Sequence, residues 1–551
     1  MIKKEILKIS CLVITYLISV CPITAASQKK TISVAMFQNI TGNKEYDWIG
    51  TGFAETITTK LVSIKSLNVL ERIQLLEVLK EQKLQLSGLV DEKTAVKVGK
   101  LLAAQYIIVG SVQKSVEELK VVARIVNVET AQAEKSVTVE GKFNDIFELQ
   151  QKLTLELAKV IETPVSEEEK TEIAKHPAKN LPAYEWFAKG KMYFYEKFQF
   201  DEAIRCYKKA IKIDKDYAAA YLELGNAFLN KSFYSKAYES YKNALLLYEI
   251  KNNRLNMGRV FQNIGIIYYI QGDYDKALEY YDKVLKISEN YPGIAKVFNN
   301  IGLIHYNRGN YNEAVEYYNK AIEVNEKYGN KKDIISNYSN IGSVYDALGN
   351  YDTALKFCNK AIEMSEKLND RQGIAAAYNL AGNVYYSREN YDKALEYFGK
   401  SLEINEKLAM MPGIVENNIN IGTVYYSKKN YDKAIVYYDK ALEIALRLTN
   451  KLNVSRIYNN IGLVYFSTSN YGKARKYYKK SLDMKQEIGD VVGAGTVMYN
   501  ISLVFEMEKD YNAAIKYLED AVKIFEKTKY YILEKSLKKL EELYKKQHEK
   551  N

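Results

Sequence analysis

Groups able to make or break covalent bonds are scarce along this 551-residue chain. Its three histidines, His176, His305 and His548, stand far apart. None has a second nitrogen, thiol or carboxylate at the spacing a metal site needs, so no metal is expected. No nucleophile has a base beside it, so no catalytic residue is assigned, and neither an enzyme nor a cofactor is expected. Gly50-Thr51-Gly52 has the outline of a phosphate loop. It lacks the third glycine of a dinucleotide motif and the Gly-Lys-Ser/Thr of a P-loop, and it reads as a turn leading into a helix at Phe53 to Val62. Cys206 and Cys358, at matching positions of separate repeats, read as small buried thiols rather than a disulfide.

What the chain has in quantity is the side-chain amide. Asn263, Asn300, Asn340, Asn420, Asn460 and Asn500 recur at one position of a repeat, where Glu223 and Leu380 stand in two other units. A carboxamide carries donors and an acceptor, so a row of them can pair with the N–H and C=O groups of an extended peptide whatever its side chains. Six residues further on stand Tyr269, Tyr306, Tyr386 and Tyr426, with Leu229, Asp346, Phe466 and Glu506 in the remaining units. Tyrosine joins flat apolar area to a polar tip, a composition favoured at binding surfaces. Arg259 and Arg456, with Lys296, stand four residues before the amide position and suit the carboxylates of a partner. The same spacing serves packing equally well: each Asn bonding the neighbouring repeat, each ring filling the space between repeats, each cation on open surface.

The elements that must carry these groups follow from a 40-residue period. Its glycine falls at Gly190, Gly225, Gly265, Gly302, Gly342, Gly382, Gly422 and Gly462, with Ser502 in the last unit. Alanine follows twelve residues later from Ala237 to Ala514, one residue later than that in the first unit at Ala203, and a second small residue follows in most units, as at Ala244, Ala321 and Ser401. Small side chains let two helices approach, and the aromatic three after the glycine (Tyr345, Tyr385, Tyr425) is expected to fill the space beside it, with His305 as a packed substitute. Turns such as Gly309-Asn310-Tyr311 separate the helices. This arrangement, over residues 183–528 in nine units, resembles the tetratricopeptide-repeat family in its 40-residue form. The resemblance implies a right-handed all-α solenoid of helix pairs, with the first helix of each pair and its asparagines on a concave wall. It also sets aside a clamp for charged chaperone tails, since the position three before the glycine (Asn299, Ser339, Asn379, Ile419, Asn459) carries no lysine. Leu533, Leu537, Leu540 and Tyr544 mark a capping helix within 529–551.

The N-terminal third has another rhythm. Residues 1–26 read as a signal peptide: Lys3, Lys4 and Lys8, then an apolar run to Val20 too short to span a bilayer, then small residues near Ala26. Val20 stands where a lipobox wants a small residue, which weakens Cys21 as a lipidation site. Removing the segment lowers the net charge from +11 to +9, and with Lys and Glu alternating throughout, no basic stripe points to nucleic acid. In 27–163, strands are expected at Thr31 to Phe37, Leu67 to Leu70, Tyr106 to Val112, Leu119 to Val128 and Ala133 to Glu140, and helices at Ile73 to Gln82, Glu92 to Leu102 and Ile146 to Ile161. Val34-Ala35-Met36-Phe37, Val69-Leu70-Glu71-Arg72, Ser87-Gly88-Leu89-Val90-Asp91 and Val126-Asn127-Val128-Glu129-Thr130 resemble the soluble core of the CsgG family of curli assembly and transport. The connections Lys114 to Glu118 and Glu129 to Gln132 are too short for membrane-crossing hairpins, so a docking or oligomerising module is implied, not a pore. Residues 164–182, with Pro164, Pro177 and Pro182, read as a linker holding a short charged helix.

The expected molecule is therefore multidomain, an α/β domain followed by the solenoid. Its expected role is an exported bacterial scaffold, periplasmic or outer-membrane-associated, that holds a protein or peptide in the groove and docks or self-associates through its first domain. Two other roles stay open: a subunit of a secretion or outer-membrane assembly apparatus, and a ligand-sensing regulator.

Overall fold

The computed structural model describes residues 29–70, 75 and 92–550 apart from 103, 131, 288–292, 329, 449, 529 and 531. The signal segment, the body of the helix expected at Ile73 to Gln82 and the Ser87 to Asp91 motif lie outside the described residues.

Five strands form one sheet in the order β2-β1-β3-β4-β5. They are β1 Lys30–Asn39, β2 Leu67–Val69, β3 Tyr106–Lys114, β4 Glu118–Asn127 and β5 Gln132–Lys142. β1 runs parallel to β2 and β3, and β3, β4 and β5 form an antiparallel meander. Helices α1 (Asp47–Val62) and α3 (Ile146–Val160) cover one face, where Ile32, Val34 and Ile108 meet Phe53, Ile57, Leu153 and Leu157. Helix α2 (Glu92–Leu102) covers the other, over Ala35, Ile107 and Val109. A strand buried on both faces needs apolar residues at successive positions, which is why β1 reads as an unbroken run.

Gly50-Thr51-Gly52 does not lead into α1 but lies inside it, because the helix begins at Asp47. A β-carbon on Gly50 would stand 1.8 Å from the Phe37 carbonyl oxygen, and one on Gly52 2.8 Å from Tyr184 Oη. The glycines are there for close approach on both sides of the helix, not for a turn or a phosphate.

The segment expected to be a linker is strapped down. Helix α4 (Glu167–Ala174) opens with a capping box between Ser166 and Glu169, Ile173 is fully buried, and the Lys60 ammonium donates to the carbonyls of Ile173 and Lys175. Burial pushes the Lys60 pKa down to about 8.

Beyond it, nine antiparallel helix pairs follow among the described residues, each with a first helix A and a second helix B. They run from Leu181–Lys191 with Phe200–Ile213 to Val491–Met507 with Tyr511–Thr528. The helix A glycine packs against a ring that the sequence reading passed over, the aromatic sixteen residues later on helix B. A β-carbon on Gly225, Gly265, Gly382, Gly422 or Gly462 would meet the ring of Tyr241, Tyr281, Phe398, Tyr438 or Tyr478 at 2.5 to 2.7 Å. The aromatic three after the glycine instead stacks on helix B's previous residue, as Tyr425 does on Tyr437 at 5.5 Å. His305 makes the same stack on Tyr317, at 5.4 Å and 8°.

The extra residue in the first unit is absorbed by a π-helical turn at Met192–Glu196. It also shifts register, so the two thiols are not equivalent: Cys358 occupies the ring slot, whereas in the first repeat that slot holds Tyr207 and Cys206 precedes it. The closing helix Leu533–Lys550 buries Ser536 and Leu543, with Leu540 partly covered. Leu537 and Tyr544 are exposed, so the covering face is rotated from the stripe the sequence suggested.

Candidate binding trough

The amide positions lie half-buried on the A helices, and the structure joins several of them into an inter-repeat ladder. Asn263 Nδ2 donates to Asn226 Oδ1 at 2.9 Å, Asn340 to Asn299 at 2.7 Å, Asn420 to Asn379 at 3.0 Å and Asn500 to Asn459 at 2.9 Å. Asn300 stands within hydrogen-bonding reach of Tyr281. For Asn340, Asn420 and Asn500 the donor side of the amide is thus turned to the preceding repeat, while Oδ1 has no hydrogen-bond partner among the described residues.

Further amides, not singled out in the sequence, fix two of these acceptors, Asn299 and Asn379. Asn325 Nδ2 donates to Asn337 and Asn337 to Asn299, both at 3.0 Å. Asn405 likewise donates to Asn417 at 2.8 Å, and Asn417 to Asn379 at 3.0 Å. The two chains stand two repeats apart, a spacing that a search for a single 40-residue pattern averages away. The gap at Leu380 has a cause: where Cys358 replaces the ring, the Leu380 Cδ2 reaches within 3.0 Å of where a β-carbon on Gly342 would lie, filling the vacated space.

The tyrosines lean on the next repeat. Tyr269 Oη accepts from Asn307 Nδ2 at 2.9 Å, and Tyr386 and Tyr426 share hydrogen bonds of 2.8 Å with Ser427 and Ser467. Tyr306 instead meets Tyr311 of its own repeat, with ring centroids 5.8 Å apart and the planes tilted by 57°. Arg456 forms a two-pronged pair with Glu416 of the preceding repeat at 2.8 and 3.1 Å, and Arg259 reaches Asn256 at 3.4 Å.

Four of the sequence-chosen residues, Tyr386, Asn420, Arg456 and Asn460, converge on one cavity of 540 Å³ walled by the A helices of repeats 6 to 9. Asn383, Thr423, Asn459 and Thr496 add polar groups, as does the buried Lys485, paired with Asp490 at 2.6 Å. Tyr426 and Asn500 lie on the same A helices but outside it, and Asn263, Asn300, Asn340, Tyr269, Tyr306 and Arg259 lie on the A helices of repeats 3 to 5. A volume of this size falls in the range of about 300–1,000 Å³ usual for ligand sites.

At the other end, the chain itself occupies the wall. Glu55 of α1 pairs with Lys191 at 3.0 Å, which pairs with Glu223 at 2.9 Å, and Tyr195 donates to Glu223 at 3.2 Å. Burial alone would lower the Lys191 pKa, but Glu223 and Glu55 reverse this and hold it above the ordinary lysine range. Tyr184 enters the sheet domain's core, its hydroxyl bonded to Gly52, Thr56 and Gln150. Among the described residues, no group of three or more His, Cys, Asp and Glu is placed to hold a metal ion, and no helix is long and apolar enough to cross a membrane.

Comparison with known proteins places these features. Tetratricopeptide-repeat profiles match residues 216–290, 293–367, 333–407 and 414–487, and related repeat profiles match 190–232, 379–446 and 495–528. The profile described as curli production assembly/transport component CsgG matches residues 14–118. Photosystem I assembly protein Ycf3 of Prochlorococcus marinus is 39% identical over 75 residues, 14% of this chain and 42% of that protein. The uncharacterized protein ycf37 of Guillardia theta is 35% identical over 71 residues, 13% of this chain. The chain thus spans about 42% of the length of the first curated relatives it matches. Among solved structures, a Rap protein complexed with Competence and Sporulation Factor aligns over 63% of this chain and 97% of its own, at 17% identity and a TM-score of 0.42. BtubC from P. vanneervenii aligns over 40% and 90%, at 19% identity and a TM-score of 0.32.

Proposed function

The chain belongs to the tetratricopeptide-repeat proteins, with a CsgG-like domain ahead of its repeats, and from that premise we propose that it is a protein-binding scaffold of the bacterial cell envelope. It holds an extended peptide or a peptide-like segment of a protein in the trough of repeats 6 to 9, while the sheet domain docks the assembly to an envelope partner. The observation that carries this reading is the half-used amide ladder where it meets the 540 Å³ cavity: Asn420 presents an acceptor whose donor side is already fixed, so it meets a peptide N–H without first being ordered. Asn460, Asn383, Thr496 and Tyr386 surround it with polar groups and a ring. The export reading of residues 1–26 and the CsgG match support the envelope.

The test uses the full chain as bait against envelope extract and against an arrayed peptide library. Asn460→Ala and Asn383→Ala are the informative variants, because neither side chain holds the solenoid together through a hydrogen bond among the described residues. Capture by the unaltered chain with at least tenfold weaker binding by the double variant, at unchanged melting temperature, is the expected result. Equal capture by both removes the trough from consideration as the binding site.

A further inference from the structure

A repeat solenoid ordinarily makes contacts only between neighbours. Here the first and last turns of the superhelix meet. A β-carbon on Gly272, in the turn of repeat 3, would lie 2.9 Å from Thr528 Cγ2 and 3.3 Å from Val492 Cγ2, both in repeat 9. One on Gly489, between repeats 8 and 9, would lie 3.4 Å from the ring of Tyr234 in repeat 2. Further along the same line the two edges part, leaving a slot of 1420 Å³ between the turns of repeats 1 and 2 and the loops around repeats 7 and 8.

The side chains facing this slot depart from the repeat pattern on the edge of repeats 1 and 2. At the start of helix B most repeats carry a capping Asn or Asp: Asn350, Asn390, Asn430 and Asn470 accept from the backbone N–H three residues on, as do Asp273 and Asp510. Repeat 2 has Phe233 there, which caps nothing. Repeat 1 has Phe198 in its turn with φ +52°, a conformation that a bulky residue rarely adopts. Across the slot, Leu452 and Val492 occupy the second residue of helix A, as Leu255 does in repeat 3, where repeats 5 and 6 have Lys332 and Gln372. Phe198, Phe233, Leu448 and Leu452 stay 57%, 45%, 40% and 49% exposed. The edge of repeats 1 and 2 has therefore given up local helix-capping and turn chemistry for apolar side chains, while the opposing edge keeps its caps at Asn450 and Asp490 and sets apolar side chains beside them.

We infer that these edges form a latch by which the superhelix closes on itself: already in contact between repeats 2–3 and 8–9, and zipping toward repeats 1 and 7 as Phe198 and Phe233 bury against Leu448 and Leu452. The occupant of the slot is the chain's own opposite turn. Closure draws repeats 7 to 9 toward the first repeat.

The test exploits substitutions that are favourable locally. Phe198→Gly relieves the positive φ, and Phe233→Asn restores a cap at the cost of its ring contact with Phe228. Leu452→Asp, on the other edge, places a carboxylate in the first turn of a helix, where the dipole favours it. Small-angle scattering of the full chain is expected to move to a larger radius of gyration in the Phe198→Gly/Phe233→Asn variant and in the Leu452→Asp variant, with far-ultraviolet circular dichroism unchanged. Combining all three should open the molecule no further than the larger single effect, since both edges belong to one contact. A radius of gyration equal to that of the unaltered chain in both variants, or expansions that simply add, overturns the latch.

Discussion

At the scale of single residues, the most informative positions are those where the repeat breaks its own rule. Cys358 and Leu380 are two such breaks, 22 residues apart in sequence, and each looks like drift when read alone. In the structure they are one substitution: the thiol leaves room that a ring fills elsewhere, and leucine from the next repeat takes it. Leu380→Asn should accordingly cost about 2–4 kcal/mol, by emptying that space and burying an amide beside a thiol. Adding Cys358→Tyr should recover part of it, with a coupling of about 0.5–3 kcal/mol in a denaturant double-mutant cycle. Zero coupling would show that the two positions do not share the space. The asparagines were legible as a row because their spacing is regular, but their partners were not. Which amide group faces the neighbouring repeat depends on Asn299, Asn379 and Asn459, which alternate with Ser339, Ile419 and Tyr499 at their own position. A 40-residue comparison sees that alternation as noise.

At the scale of elements, strand and helix types in the sheet domain follow from apolar patterning, and ends moved by only a few residues, as where Thr31 to Phe37 became Lys30–Asn39. The start of α1 moved most, from Phe53 to Asp47, because Gly50 and Gly52 look like a break in sequence and act as contact surfaces in space. The closing helix shows the same limit. Two stripes containing Leu540 fit its spacing, and only the docking of Ser536 and Leu543 onto repeat 9 selects between them. That docking is held partly by Glu506, which receives Lys539 at 2.9 Å and Lys546 at 2.6 Å. Burial opposes ionisation of Glu506, but the hydrogen bonds from Lys546 and Lys539 outweigh it and keep the carboxyl below its usual value. A carboxylate with a depressed folded-state pKa contributes stability that is present above its unfolded value, near 4.3, and lost as pH falls through the folded value. Hydrogen exchange in residues 533–550 should therefore accelerate relative to repeats 4 to 6 between about pH 5 and pH 3, and Glu506→Gln should show fast exchange at both pH values. Uniform behaviour along the solenoid would exclude this pair as the fastening.

At the scale of the molecule, both architectural classes were readable from the sequence, but their union was not. Prolines and charge at residues 164–182 suggest a linker with a short helix, whereas Ile173, Tyr184 and Ala188 join the core of the sheet domain and Lys191 sits between carboxylates from both sides. Nothing in a linear pattern reports that a residue of the first repeat will lie against Trp48 and Phe147. A chain beginning at residue 180 should consequently have an unprotected first repeat and a lower melting temperature than the full chain. Lys191→Met in the full chain should cost about 3–5 kcal/mol, by leaving Glu55 and Glu223 buried without their cation. Independent melting of the two parts in calorimetry, with repeat 1 protected in the truncated chain, would argue for a tether after all.

The shared core between sheet and first repeat also sets how this molecule carries load. A pull applied near repeat 9 would travel along a row of stacked hairpins and reach α1 through the shared core of Tyr184 and the Lys191 pair, so the sheet would feel both the pull and its torque. A tethered solenoid would swing freely of its sheet; this one turns with it, like a hook forged in one piece with its bracket.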